Sequence, residues 1–152
     1  MILRPKIALY EPDIPQNTAA IIRTCACLGA DLEIIEPCGF LFNDKRFKRV
    51  VMDYMDEKLI KFYRSSEEFF KSKVGQRVIL LTTKSSESYA KFKFESNDTL
   101  LFGRESAGVP EDVHNSIKYR LPTAPTAYEA VNKNSLLSGF FSDIFYFLYI
   151  VI

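Results

Sequence analysis

Gly103-Arg104-Glu105 and Gly108-Val109-Pro110 bracket a short segment in which an opposite-charge pair stands between two glycines. Residues without a Cβ at both ends suit a tight loop whose backbone must approach other backbone, or a ligand, closely. Leu100 to Phe102 read as a buried strand, and Pro110 suits the start of a helix, so the loop leaves the carboxyl end of a strand. Open α/β sheets bind their ligands at that edge. The same pattern also fits an ordinary strand-to-helix turn. Gly103 and Gly108 have the spacing of a phosphate loop, but Val109-Pro110 stands where Lys-Ser/Thr is required, and none of the six glycines form G-x-G-x-x-G. Cys25 and Cys27 lack zinc spacing and His114 is the only histidine, so neither a metal site nor a Ser–His–Asp set is read.

A second group is basic. Lys45, Arg46, Lys48 and Arg49 fall on one side of a short helix predicted around 44–50, where they make either a solvated face or a contact for phosphates. The net charge of the chain is only +1, so any nucleic-acid surface must be a local patch of this kind.

These residues need a frame. Residues 6–10 read as a strand; Asn17 or Thr18 is a candidate cap for a helix ending at Gly29; Leu32 to Glu36 is a second strand, parallel to the first. A strand is expected over Leu59 to Tyr63, a helix over Ser66 to Lys73, strands over Arg77 to Thr83 and Thr99 to Phe102, a helix from Pro110 to Ser116, and a last strand over Tyr119 to Leu121. The alternation predicts an α/β fold with a mainly parallel sheet. Three turns at strand carboxyl ends, after Leu81, Phe102 and Leu121, are where a cofactor should sit.

The 152 residues suit one domain, with 47% hydrophobic and 26% charged residues. Three cysteines without a secretory leader fit reduced core thiols in a cytoplasmic protein. From Asn134 to Ile152 the only charged side chain is Asp143. A membrane anchor fits that length, but Asp143 near its centre costs about 2.5–3.5 kcal/mol. A buried terminal helix at a domain or dimer face fits better.

Five phrases in order carry a resemblance: "YEPDIPQNTAAIIRTCACLGADLEIIEPCGF", "NDKRFKRVVMDY", "LLTTK", "LLFGRESAGVP" and "YRLPTAP". Together they resemble the SPOUT superfamily, and within it the small tRNA (cytidine/uridine) 2′-O-methyltransferases that act on the wobble nucleotide. The resemblance implies a parallel sheet with a C-terminal trefoil knot, S-adenosyl-L-methionine as cofactor, tRNA as substrate and a homodimer with its active site completed across the interface. It implies cofactor contacts at Leu81, Thr82, Gly103, Glu105 and Leu121, with Gly103 admitting close backbone approach and Glu105 either fixing the loop or receiving the cofactor's amine. Arg23 corresponds to the arginine linked to catalysis. A guanidinium stays protonated near neutral pH, so binding a phosphate or a developing oxyanion suits it better than proton abstraction. Asn17 either caps the helix, orients Arg23, or both, and Lys45, Arg46, Lys48 and Arg49 are implied tRNA contacts.

The resemblance breaks after "PTAP". Where the family reads Arg-Ser-Leu/Met-Asn, this chain has Tyr128, Glu129, Ala130 and Val131, with Asn132 one place late. Gly139 falls inside the expected last helix, and the tail is more aromatic than the small-residue helix it replaces. The segment 126–152 is therefore expected to be a diverged or frame-altered version of the family's C-terminus. A homologue that binds RNA without turnover is the alternative function, and an unrelated small α/β nucleotide-binding or regulatory domain is a weaker one.

Overall fold

The structure is a computed structural model, and residues 5–52, 59–85, 87 and 92–122 are described. The expectations for the third motif at 128–134, for Gly139 and for the aromatic tail lie outside the described residues. Ten elements follow one another: β1 (Lys6–Tyr10), α1 (Pro15–Leu28), β2 (Asp31–Ile35), α2 (Lys45–Met52), β3 (Ile60–Tyr63), α3 (Ser66–Ser72), β4 (Val78–Thr82), β5 (Thr99–Phe102), α4 (Glu111–Ser116) and β6 (Tyr119–Pro122).

The strands form one six-stranded sheet in the order β3-β2-β1-β5-β4-β6, and every pairing is parallel. Both faces are covered, which is why the strands read as continuous apolar runs instead of alternating. On one face Ile7, Leu9, Leu32, Ile34, Leu100 and Leu121 pack with Ile22 and Cys25 of α1 and with Phe47 and Val51 of α2. On the other, Ala8, Tyr10, Leu80 and Leu101 pack with Phe69 of α3 and with Ile117.

The order has a functional consequence. From β1 the chain builds outward through β2 to β3; it then returns to the other side of β1 to lay down β4, β5 and β6. The strand order reverses between β1 and β5, and the crevice beyond the carboxyl ends of such a pair is where sheets of this kind take ligands.

The start of α1 differs from expectation. Neither Asn17 nor Thr18 caps α1: the cap position is Ile14, with no side-chain bond, and Pro15 occupies the first turn. Proline replaces the polar cap because its missing N–H is one that would have no partner there, and its φ is already helical. At the other end Gly29 stops α1 as expected, at φ +70°, with the Ala30 N–H returning to the Cys25 carbonyl. Helix α3 is capped by Ser65, whose hydroxyl accepts from the Glu68 N–H. The thiols are mixed: Cys25 is buried and Cys38 half-buried, but Cys27 is exposed, since it lies on the outward side of α1 and not in the core.

Candidate functional site

At the reversal point two turns are sewn together. The first follows β1 and runs Glu11-Pro12-Asp13; the second follows β5 and runs Gly103 to Gly108. Glu105 Oε2 accepts from the Asp13 N–H at 2.9 Å, and the Ser106 hydroxyl donates to Asp13 Oδ2. Arg104 donates from Nε to the Glu11 carbonyl at 3.1 Å and from Nη2 to Glu11 Oε2 at 2.8 Å. Glu11 is a non-glycine residue at φ +41°, a conformation that persists only where its surroundings impose it. The Arg104 fork and the bond from the Glu11 N–H to the Ile35 carbonyl at 3.0 Å impose it here.

The loop also closes on itself. The Arg104 N–H donates to the Gly108 carbonyl at 3.1 Å, and the Gly108 N–H returns to the Arg104 carbonyl at 2.7 Å. A Cβ on Gly103 would meet the Cα of Gly108 at 2.7 Å. The room a side chain would need is thus filled by the loop's own backbone. Gly108 itself is at φ +66°, and Pro110, two residues on, caps α4.

Burial pushes the Glu105 carboxyl up, and the neighbouring Asp13 side chain adds to the rise. Asp13 moves the other way, held below the usual carboxylate range by the Glu105 and Ser106 side chains. Burial raises the Cys38 thiol to about 11, with the nearby Glu36, Glu105 and Glu11 carboxylates contributing.

Beside these turns lie the other two strand ends. The register pairs Leu81 with Phe102 on one side and with Leu121 on the other, and Thr82 with Pro122, so β5, β4 and β6 end at one level. The Leu81 and Leu121 side chains are buried in the sheet core. The Thr82 hydroxyl accepts from the Lys84 N–H at 3.1 Å, and the Ser85 hydroxyl donates to the Arg120 carbonyl at 3.1 Å, which ties the β4 turn to β6. Thr82, Gly103 and Leu121 are thus neighbours, and Glu105 stands on the same loop as Gly103.

The residues expected to meet substrate divide. A cleft of about 440 Å³ opens beside α1 and is lined by Gln16, Ala19 and Arg23 of that helix, by Phe40 and Leu41 of the loop after β2, and by Asp44, Arg46 and Phe47 at the start of α2. Arg23 and Arg46 are brought to one cavity. Lys45, Lys48 and Arg49 are not part of its lining, and neither is Asn17, a half-buried residue in the first turn of α1. Because Phe47 and Val51 of α2 are buried, the basic side chains occupy the outward arc of the helix. Asp44 starts α2: its Oδ1 accepts from the Arg46 N–H at 2.7 Å and its carbonyl from the Lys48 N–H at 2.9 Å.

Sequence reasoning missed Glu11, Asp13, Ser106, Gln16, Phe40 and Asp44. Asp13 is separated from Glu105 by 92 positions, and no local spacing announces such a contact. The one available signal was the polar, proline-flanked turn after β1, which stands at a strand carboxyl end like the three turns singled out. Among the described residues no group of His, Cys, Asp and Glu is placed to hold a metal ion, and no helix is long and apolar enough to cross a membrane.

Comparison with known proteins agrees with this arrangement. Residues 4–132 match the model of the SpoU rRNA methylase family. A tRNA (cytidine(34)-2′-O)-methyltransferase of Beijerinckia indica subsp. indica is 48% identical over 117 residues, which cover 76% of this chain and 73% of that protein. A solved structure described as giving insight into the 2-OH methylation of C/U34 on tRNA superposes with a TM-score of 0.75 at 30% identity, covering 96% of this chain and 94% of that one. A solved structure from Bacillus anthracis gives a TM-score of 0.72 at 31% identity, over 97% and 93% of the two chains. With its parallel sheet, its sewn strand-end turns and a family match over most of its length, the chain belongs to the SpoU methylase family.

Proposed function

We propose that this protein is an S-adenosyl-L-methionine-dependent tRNA methyltransferase that modifies the 2′-hydroxyl of a cytidine or uridine at the wobble position. The observation that carries the reading is the level alignment of the strand ends at Leu81, Phe102 and Leu121 beside the Asp13–Glu105 contact, in a chain of this family. It works as one cytoplasmic domain in a homodimer, and its C-terminal segment threads a trefoil knot against these strand ends.

When bound, the cofactor supplies an electrophilic methyl group on a sulfonium. The backbone after Leu81, Thr82 and Leu121 holds its adenine, since the leucine side chains themselves are committed to the core. Gly103 and Glu105 keep the neighbouring loop in shape: the first by allowing closure on Gly108, the second by holding the Asp13 amide. The difficult part of the reaction is a ribose hydroxyl that is barely acidic. Arg23 acts as an electrostatic partner for the phosphate or the developing oxyanion, which lowers the hydroxyl's pKa. Lys45, Lys48 and Arg49 take the flanking phosphates, and Asn17 supports the start of α1.

Incubation with labelled cofactor and unmodified tRNA tests the proposal. A 2′-O-methyl pyrimidine at the wobble position is the expected product. No methylated nucleotide, together with no binding of S-adenosylhomocysteine, contradicts it. The substitutions at Tyr128, Glu129 and Val131 favour one second reading, an RNA-binding homologue that has lost turnover. It is distinguished by tRNA retention without methyl transfer.

A further inference from the structure

The cleft beside α1 has the size of a small-ligand site, and its lining has a division of labour. Ala19, Phe40 and Phe47 supply apolar walls, and Leu41, 74% exposed, adds an apolar face at the mouth. Arg23 and Arg46 bring two guanidiniums from different helices, a charge suited to the phosphates on either side of one nucleotide. Asp44 is already engaged as the start of α2. That leaves Gln16, an exposed residue of the first turn of α1, as the neutral polar side chain facing the cavity.

We propose that this cleft takes a single pyrimidine nucleotide splayed out of an RNA loop, and that Gln16 reads the substituent at C4 of its base. The inference rests on the function proposed above and names the residue that sets base tolerance. Bases in single-stranded loops can be unstacked and drawn into a pocket of this kind. Cytosine carries an amino donor at C4 and uracil a carbonyl acceptor. A glutamine amide offers both an acceptor oxygen and a donor nitrogen, and a flip of the amide exchanges them. Gln16 therefore accepts from the cytosine amino group in one orientation and donates to the uracil carbonyl in the other, so both bases are served by one pocket.

Two substitutions remove one half of that ability each. Gln16→Glu leaves an acceptor only, and Gln16→Lys a donor only. Both sit in the exposed first turn of a helix whose start is set by Pro15, so neither disturbs the core. The measurement is kcat/KM on a pair of tRNA transcripts that differ only in cytidine or uridine at the wobble position. Gln16→Glu is expected to shift the cytidine-to-uridine ratio toward cytidine about tenfold, and Gln16→Lys to shift it toward uridine by about as much. A general effect of charge on RNA binding changes both substrates alike and cancels in the ratio. Unchanged ratios in both variants, or shifts in the same direction, overturn the inference while leaving the methyltransferase reading intact. A wild-type protein that methylates neither transcript overturns that reading, and the inference with it.

Discussion

Gly103 and Gly108 show how one loop needs glycine for two different reasons. At Gly108 the space around a Cβ is open but the backbone is left-handed, at φ +66°. At Gly103 a Cβ would strike the backbone of Gly108 at 2.7 Å. A left-handed residue with a side chain costs about 1–2 kcal/mol, whereas forcing atoms into filled space costs about 1–3 kcal/mol and moves the backbone. Gly103→Ala is therefore expected to lower unfolding free energy by about 1–3 kcal/mol in a urea titration and to weaken S-adenosylhomocysteine binding. Gly108→Ala is expected to cost stability without the same displacement of the β5 turn. A Gly103→Ala protein as stable as wild type would mean that the loop opens readily and that its closure does not shape the site. The paired glycines and the charge between them were visible in the sequence. Their partners were not, because Glu11 and Asp13 lie more than ninety positions away and meet the loop only through the pairing of β1 with β5.

Among the elements, apolar runs were the most legible feature. Residues 6–10 and Thr99 to Phe102 coincide with β1 and β5, because a strand buried on both faces leaves an uninterrupted apolar signature. Helix starts were less legible. The reading of α1 looked for a polar cap and passed over Pro15; the reading of α3 began at its true first residue, Ser66, but did not name the cap, although Ser65 and Glu68 stand three apart as a capping pair does. Glu68 reaches back to the Arg64 N–H at 2.7 Å while Ser65 accepts from the Glu68 N–H at 3.2 Å. Ser65→Ala is expected to cost about 1 kcal/mol, read as a lowered midpoint in thermal unfolding, with methyl transfer at low temperature unchanged. A midpoint equal to that of wild type would show that Phe69, fully buried between α3 and the sheet, holds the helix without its cap.

Taken as a whole, the molecule divides its work about the reversal in strand order. One half, β1 to β3 with α1 and α2, carries the basic helix and the cleft containing Arg23; the other, β4 to β6, carries the level strand ends expected to hold the methyl donor. The Asp13–Glu105 and Glu11–Arg104 contacts join the halves where donor and acceptor must meet. Strand order was beyond the reach of sequence pattern, since periodicity reports which residues are buried and says nothing of which strand lies beside which. Resemblance reached further, naming candidate residues at the carboxyl ends of β4, β5 and β6 without giving the bonds that hold them.

The most direct measurement is a crystal structure of the protein with S-adenosylhomocysteine. The ligand is expected across the turns that follow Leu81, Phe102 and Leu121, its adenine against the backbone of the first and last. A ligand bound at any other edge of the sheet, or those three turns empty at saturating concentration, would contradict the account.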